Sequence, residues 1–428
     1  MKLTLSFAVI AFLIFSGLHA QDTVRVMHYN LLYYGVNNSF CNQTNNNLQL
    51  KNASLRKIIA HTQPDIFTVN EISSNATYHQ MILDSILNIN GETRFKRAAI
   101  TNYSGTSIIN DLFYDSWRFG IVKEYALLGG DRDINVYKLY YKSPELDWST
   151  DTVFLTVFVG HLASGSDAAS QAQRDVEAGI VMGHIATLPN PHNYLFQGDF
   201  NLYTSAEPCF QKLINHPNAN IRLFDPINKV GSWSDNSTYA PYHTQSTHTS
   251  TDCFVGGGMD DRFDFIMASL PVIMNTYRVK YLPGSYRAVG QDGEHFNKSL
   301  TDSPANTSAP ADVIQALYDM SDHLPVVLDL VISQTPAAIP ETDLYLFTVS
   351  FENPVTDVLH VELYSQINSP TTMTLFDLTG RRAYSQQIQG TIGLNEFDVP
   401  IAHLTPGVYL MHIAQQNGTA LTFRIVKL

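Results

Sequence analysis

The pattern of hydrophobic residues changes once along the chain, near Ser333. Over residues 22–332, short apolar stretches rich in β-branched and aromatic residues alternate with helical periods and polar loops. A Pro- and Ala-rich segment over residues 333–342 predicts a semi-rigid linker. Residues 343–428 then show short strands and turns with almost no helical period. This change predicts an α+β body followed by a small C-terminal β-sandwich.

Within the body, β-branched and aromatic runs predict strands, and apolar residues at a period of 3.6 predict helices between them. The predicted helices lie around Leu55–Ile59, around Tyr78–Ile86 and over Ser166–Leu188. The predicted strands are Val24–Tyr29, Ile66–Asn70, Gly120–Val122, Ile134–Tyr141, Val153–Val159, Tyr194–Gln197, Phe263–Met267 and Val326–Ile332.

The charge of the chain limits the ways in which it can bind a partner. Only 15% of the 428 residues are charged, which argues against disorder, and the formal net charge is −13. An acidic chain lacks the basic footprint that binding to nucleic acid by counterion release requires. A polyanionic substrate would therefore need help from a bound cation.

The first twenty residues have the pattern of an export signal. Lys2 precedes the apolar run Leu3–Phe15, and the small residues of 16–20 supply a cleavage region. The apolar run is too short to span a bilayer, and no second comparable run follows. We therefore expect an exported protein without an integral membrane span.

The three cysteines, Cys41, Cys209 and Cys253, permit at most one disulfide, and the sequence does not say which pair forms it. His243, His248 and Cys253 lie in a Ser/Thr-rich stretch and are of residue types that bind zinc. Their spacing matches no known metal framework, so the sequence favours a solvated loop.

Polar residues recur where the predicted strands end, and together they suggest a cleft for a hard divalent cation such as Mg²⁺, Mn²⁺ or Ca²⁺. A histidine beside an aspartate would add acid–base capacity. Each residue taken alone also has a local interpretation, such as a turn or a bond to nearby backbone. The candidates are Asn30, Glu71, His161, Asp199, Asn201, Asp264, Asp322 and His323.

Six ordered motifs strengthen this interpretation, because the set resembles the endonuclease/exonuclease/phosphatase superfamily over residues 22–332. The resemblance implies a four-layer sandwich, in which two mixed sheets pack face to face with helices outside, and metal-dependent hydrolysis of phosphate esters. The motifs are MHYNLL (27–32), PDIFTVNEI (64–72), GHLASG (160–165), QGDFN (197–201), RFDFI (262–266) and SDHLPV (321–326).

The resemblance also implies a role for each candidate residue. Glu71 would be the principal metal ligand, assisted by Asn30 and Asp322. Asp199 would position or activate water, and Asn201 would hold the scissile phosphate. His323, oriented by Asp264, would act as acid or base or would stabilise the phosphoryl oxygens, while His161 would help the leaving group.

The chain also departs from the family pattern at one position. The family usually has Gln before the metal-binding Glu, whereas Asn70 stands here. A histidine at position 161 is typical of the deoxyribonuclease-like and sphingomyelinase-like branches rather than the abasic-site repair branch. Asp111 is a tentative acidic partner for that histidine. Arg118 and Arg174 are candidates for gripping phosphate, although the sequence favours ordinary surface charge for both.

The tail resembles the C-terminal sorting domain of type IX secretion, through FENPV (351–355), TLFDLTGR (374–381), LTPGVYL (404–410) and RIVKL (424–428). This resemblance implies a Gram-negative source, export through the periplasm, the type IX secretion machinery as a partner, and release or surface attachment. The alternative is an ordinary carbohydrate-binding or adhesive sandwich.

These observations predict a secreted, metal-dependent phosphodiesterase, with extracellular DNA or RNA as the first substrate hypothesis. A phosphatase or a sphingomyelinase-like lipid phosphodiesterase is the alternative, because the shared motifs do not discriminate between substrates. A non-catalytic surface protein that uses the same cleft for a structural cation is the third hypothesis.

Overall fold

The computed structural model describes residues 21–143, 152–333, 347–351, 353–365, 368–416 and 420–428. The predicted export signal over residues 1–20, and the predicted linker beyond Ser333, lie outside these residues. The strands of the body, in chain order, are β1 (Gln21–Tyr34), β2 (Ile66–Ser73), β3 (Phe95–Arg97), β4 (Ile108–Asp115), β5 (Phe119–Leu128), β6 (Asp133–Tyr141), β7 (Phe154–His161), β8 (Tyr194–Asp199), β9 (Leu223–Phe224), β10 (Asp264–Ser269), β11 (Val279–Tyr281), β12 (Arg287–Ala288) and β13 (Val326–Ser333).

These strands form two mixed sheets. The first sheet has the order β11-β13-β1-β2-β4-β3, with β12 paired to β13, and the second has the order β5-β6-β7-β8-β10-β9. In each sheet one central pair is parallel, β1 with β2 and β7 with β8. The helices are α1 (Leu48–Thr62), α2 (Ala76–Ile82), α3 (Ala168–Ile185), α4 (Pro208–Ile214), α5 (Leu270–Met274) and α6 (Ala311–Met320).

The side chains of β8, in the second sheet, point alternately to its two faces and show how the layers are stacked. In β8, Leu195 joins the core between the two sheets, whereas Tyr194 and Phe196 face the opposite side. Helices α1 and α6 cover the outer face of the first sheet, while α3 and α4 cover that of the second. The body is thus a four-layer sandwich, and the predicted fold class is confirmed.

The tail is a second, all-β unit with its own core. Its sheets have the orders β14-β15-β18 and β17-β16-β19-β20, and they enclose a common apolar cluster. A small β-sandwich was predicted for this region and is confirmed. Its strands are β14 (Phe347–Phe351), β15 (Val358–Ser365), β16 (Ser369–Asp377), β17 (Arg382–Gly390), β18 (Gly393–Pro400), β19 (Gly407–Gln415) and β20 (Ala420–Lys427).

Eight elements of the described body were not predicted from the sequence, namely β3, β4, β9, β11, β12, α4, α5 and α6. Strand β4 has polar residues at Asn110 and Asp111, which interrupt its apolar run, yet it is buried along its whole length. Helix α6 follows a loop that is rich in Ser and Pro. Among the helices that the structure describes, none is long and apolar enough to cross a membrane.

Candidate functional site

The topology of the two sheets brings the candidate residues to one edge of the sandwich. Strands β7 and β8 run parallel, so His161 lies directly across from Asp199 at their carboxyl ends. Strand β10 runs antiparallel to β8 and begins at Asp264, which pairs with Asp199. In the first sheet, Asn30 and Glu71 lie near the ends of the parallel strands β1 and β2.

Glu71 lies at an irregularity in strand pairing, in the left-handed backbone region (φ 57°). Its carboxylate accepts hydrogen bonds from the Asn30 side chain (3.2 Å) and from the backbone N–H of Tyr33 (3.1 Å). A bulge of this kind redirects a side chain, and such strain is common at functional sites. The local backbone therefore aims this carboxylate toward the space between the sheets.

Asn30 links the two sheets through its amide group. Its Nδ2 donates to Asp199 Oδ2 (3.0 Å) as well as to Glu71, and it lies 3.5 Å from His323 Nε2. Its Oδ1 accepts from the backbone N–H of Leu32 (3.0 Å). Both ends of the amide are therefore fixed, which holds the surrounding groups at defined distances.

His323 and Asp264 form a buried histidine–aspartate pair within the site. His323 Nδ1 lies 2.7 Å from Asp264 Oδ2, and its Nε2 lies 3.6 Å from Asp199 Oδ2. Burial alone would lower the pKa of His323, but the charges of Asp264 and Asp199 outweigh it and raise that pKa well above the ordinary value. The pair therefore favours the protonated ring.

His161 faces two of the carboxylates directly. Its Nε2 lies 3.8 Å from Glu71 Oε1 and 3.5 Å from Asp199 Oδ2. Burial, reinforced by the charge of Arg132, holds the pKa of His161 well below its usual value. The tentative partner Asp111 is wrong, because its carboxylate contacts His79 Nδ1 at 2.5 Å instead.

Asn201 lies beside this histidine, at a second left-handed position (φ 51°). Its backbone N–H donates to Asp199 Oδ1 (3.0 Å), and its side-chain amide donates to the carbonyl of Leu162 (3.2 Å).

Asn70, which stands before Glu71 where the family usually has Gln, forms no hydrogen bond with the Glu71 carboxylate. Its Oδ1 instead accepts from the backbone N–H of Asp199 (2.8 Å). Asn70 therefore supports the neighbouring sheet.

Asp322 is the residue before His323, and its carboxylate contacts the loop segments around Gln245 and Val255. Its Oδ2 accepts from the backbone N–H of Val255 (2.9 Å) and from Gln245 Nε2 (3.3 Å). Its Oδ1 is buried, lies 4.0 Å from His323 Nε2 and has no hydrogen-bond partner among the residues that the structure describes. An orphaned carboxylate oxygen of this kind is unfavourable unless a cation or water completes it.

Two functional candidates were missed by the sequence reasoning. Gln245 Nε2 lies 2.8 Å from His323 Nε2, and the segment 243–248 is buried, so the prediction of a solvated loop there is wrong. Arg132 is half-buried near Glu71 and His161, and its guanidinium pairs with no residue that the structure describes. Neither residue belongs to a recognisable motif, so only tertiary structure identifies them.

Arg118 and Arg174, the two candidates for gripping phosphate, make structural contacts instead. Arg174 is fully buried and forms an ion pair with Glu207 (2.6 Å), so the expectation of surface charge is wrong for it. Arg118 is partly exposed and pairs with Asp22 (3.1 Å) and Asp65 (3.3 Å). Neither guanidinium is free to hold a substrate.

The donor set fits a hard divalent cation. Ligand atoms of Glu71, His161 and Asp199 all lie within 4.8 Å of one another. Burial raises the pKa values of Glu71 and Asp199, because a carboxylate that is removed from water is harder to ionise. A bound cation would offset that cost, and oxygen-rich sites of this kind suit Mg²⁺, Mn²⁺ or Ca²⁺.

The chain thus folds into an α+β sandwich. At one edge of the sandwich, between its two sheets, lies a buried site of carboxylates and histidines. Solved structures similar to the chain are an endonuclease/exonuclease/phosphatase from Beutenbergia cavernae DSM 12333 (14% identity, 94% of this chain and 99% of that chain, TM-score 0.44), D. rerio TDP2 complexed with a single-strand DNA product (14%, 72% and 98%, 0.44) and the mannosyl-6-phosphatase Bt3783 from Bacteroides thetaiotaomicron VPI-5482 (14%, 72% and 100%, 0.44).

The tail has a match of its own. Residues 351–427 match the family model of the secretion system C-terminal sorting domain. The chain therefore carries a secretion-sorting domain, as its sequence motifs indicated. A comparison with curated proteins gives no match to the chain.

Proposed function

We propose that the protein is a secreted, divalent-metal-dependent phosphodiesterase and that nucleic acid is its substrate. The observation that carries the proposal is the buried constellation in which Asn30 joins Glu71 to Asp199, beside the His323–Asp264 pair. Hydrolysis of a phosphodiester needs charge neutralisation, an activated water and a proton for the leaving group. The described edge contains a group suited to each task.

Glu71, with Asp322, would hold the cation, and Asp199 and His161 lie close enough to share in binding it. Asn30, predicted as a further ligand, directs its Nδ2 at the carboxylates and would position them instead. When bound, a divalent cation neutralises phosphate charge and lowers the pKa of a bound water. The orphaned Oδ1 of Asp322 is one reason to include that residue. Mg²⁺ is the first expectation, with Mn²⁺ or Ca²⁺ as alternatives.

The protein's own groups then handle the protons and the phosphate. Asp199, whose carboxylate is held by the Asn30 side chain and the backbone N–H of Asn201, accepts a proton from the attacking water. As the new P–O bond forms, protonated His323, oriented by Asp264, donates a hydrogen bond to a phosphoryl oxygen.

Asn201 holds the phosphate. As the ester P–O bond breaks, His161 donates a hydrogen bond to the leaving alkoxide oxygen. That oxygen takes up a proton from solvent as the alcohol leaves, and Asp199 returns its proton to solvent.

The choice of nucleic acid rests on His161 and on Arg132. A second histidine beside the carboxylates can donate a hydrogen bond to a leaving alkoxide, and position 161 resembles the deoxyribonuclease-like branch in having one. The unpaired guanidinium supplies a cationic contact for phosphate in an otherwise acidic protein. A phosphatase or lipid phosphodiesterase remains the alternative, and release or surface attachment after sorting is part of the proposal.

A substrate panel tests this proposal. The purified full-length protein should be incubated with plasmid DNA, RNA, sphingomyelin and a sugar phosphate, each with Mg²⁺ and again with excess chelator. We expect cleavage of a nucleic acid that stops in chelator. Cleavage of sphingomyelin or release of inorganic phosphate alone would favour the alternative, and no reaction with any substrate would contradict the enzymatic proposal.

A further inference from the structure

Two loops beside the site are joined by the disulfide Cys41–Cys253, which links residues 212 positions apart in the sequence. A second bond connects the same loops, because Asn45 Nδ2 donates to Asp252 Oδ1 (2.7 Å). The third cysteine, Cys209, is buried in the core of the second sheet and is free. The pairing that the sequence left open is therefore settled between two surface loops.

The first loop, residues 35–47, is anchored to the end of β1. Asn46 Nδ2 donates to the carbonyl of Tyr33 (3.1 Å), and the buried Lys51 donates to the carbonyl of Leu32 and to Asn46 Oδ1, both at 2.7 Å. The next backbone group, the N–H of Tyr33, is the donor to Glu71 Oε2. The position of this loop therefore affects the Glu71 carboxylate.

The second loop, residues 249–258, contacts the other proposed metal ligand. The backbone N–H of Val255 donates to Asp322 Oδ2 (2.9 Å), although the Val255 side chain is half exposed. Three consecutive glycines (256–258) follow, and the loop contains no helix or strand. Glycine-rich backbone is entropically costly to order, so a covalent tether has a large effect on such a loop.

We propose that the Cys41–Cys253 disulfide is a positioning element for the metal site, and that the protein acquires its full affinity for a divalent cation only after this pair has been oxidised. The disulfide joins the loop that contacts Glu71 to the loop that contacts Asp322. The inference rests on the proposed function of that site. Its consequence is that the chain stays weakly active in a reducing compartment and matures after export.

The oxidation is a thiol–disulfide exchange with a disulfide-bearing oxidant. One cysteine thiolate attacks the oxidant's S–S bond to give a mixed disulfide, and the second thiolate then displaces the remaining oxidant sulfur. The Cys41–Cys253 bond forms, and the oxidant leaves as two thiols with two electrons and two protons. Cys209 does not compete, because burial raises the pKa of its thiol and removes it from solvent.

Mn²⁺ affinity of the metal-freed full-length protein tests the inference without depending on turnover. The test protein carries Cys41→Ala with Cys253→Ala, and the matched control is Cys209→Ala, which keeps the disulfide. Circular dichroism and thermal unfolding check the fold. We expect Mn²⁺ binding, measured by titration calorimetry, to weaken about 10- to 100-fold in the double variant, as for other groups that support metal ligands, and to stay at the wild-type value in the control.

A second variant keeps the test decisive if the double variant does not fold. Val255→Pro removes the N–H donor to Asp322 from an exposed loop position and leaves the disulfide intact, so we expect a similar loss of Mn²⁺ affinity. Unchanged affinity in either folded variant would overturn the inference. Wild-type protein that binds Mn²⁺ but hydrolyses no phosphoester would contradict the proposed function alone.

Discussion

At the scale of single residues, the site is a set of buried charges that stabilise one another. Asp264 has one carboxylate oxygen on His323 Nδ1, and the other lies 3.9 Å from His28 Nε2 with no hydrogen-bond partner among the described residues. That carboxylate fixes the orientation of the ring and favours its protonated form. The chemistry of His323 therefore depends on a neighbour that need not touch the substrate.

Replacing Asp264 with Asn tests this dependence. We expect turnover to fall about 100-fold or more, within the range for loss of acid–base function, because the His323 ring loses both its orientation and the charge that raises its pKa. Steady-state kinetics on a phosphodiester would measure it. Asp292→Asn is the matched control, since it alters a similar pair with His295 (2.9 Å), and turnover that falls equally there would contradict the assignment.

Much of the site was predictable at this scale, and the exceptions have a common physical cause. The residues Glu71, Asp199 and His323 follow or precede apolar strands, and a sheet brings strand ends together. Gln245 and Arg132 lie in loops whose positions depend on distant contacts. Their burial and their neighbours are properties of the tertiary structure, so local patterns give no indication of them.

At the scale of elements, helix α3 holds the loop that follows His161. Arg174 donates to the carbonyls of Ala163 (2.8 Å) and Gly165 (2.7 Å). Glu177 accepts from the backbone N–H of Ala163 (3.0 Å). The helix was predicted from its apolar period, but the inward direction of Arg174 and Glu177 was not, because charge normally indicates a solvated face.

Arg174→Met tests how much the buried ion pair of this helix contributes to the free energy of unfolding. Removing the guanidinium leaves Glu207 buried without its cationic partner, and breaking a buried pair in this way costs about 3–5 kcal/mol. We expect the free energy of unfolding in denaturant to fall by that amount. Arg118→Met, which alters a partly exposed pair, is the control, and an equal small loss in both variants would contradict the reasoning.

The variant Glu177→Gln tests how the stability of the protein depends on pH. Burial raises the pKa of Glu177 to about 7 from an ordinary 4.5, so the folded protein binds more protons than the unfolded chain between these values. Stability from this group is therefore lost as pH rises through that window. We expect the variant to gain stability relative to wild type, by at most about 3 kcal/mol, between pH 4.5 and 7. A difference that does not vary with pH would contradict this.

At the scale of the whole molecule, the sorting domain contacts the body away from the candidate site. The rings of Phe224 and Tyr364 meet edge to face at 5.3 Å, and Asn228 Nδ2 donates to the carbonyl of Leu394 (2.8 Å). A cavity of about 440 Å³ lies between the two units beside Tyr364. The small apolar contact and this void together indicate an interface that is only partly packed.

Tyr364→Ala should loosen the tail without altering the chemistry. The variant loses the ring that packs on Phe224, so we expect a larger radius of gyration by solution scattering and wild-type turnover. Tyr384→Ala is the control, because that ring packs within the tail near His403. An unchanged radius of gyration in Tyr364→Ala would show that this contact does not hold the units together.

The central claim is that a divalent cation held by Glu71 and its neighbours enables hydrolysis of a phosphodiester. The most direct measurement is the rate of bis(p-nitrophenyl) phosphate hydrolysis by metal-freed, full-length protein as Mg²⁺ is added, for wild type and for Glu71→Gln. We predict no hydrolysis before addition, a saturable rise in wild type, and a rise in the variant that is absent or needs far more Mg²⁺. Hydrolysis in excess chelator, or identical curves for the two proteins, would contradict the account.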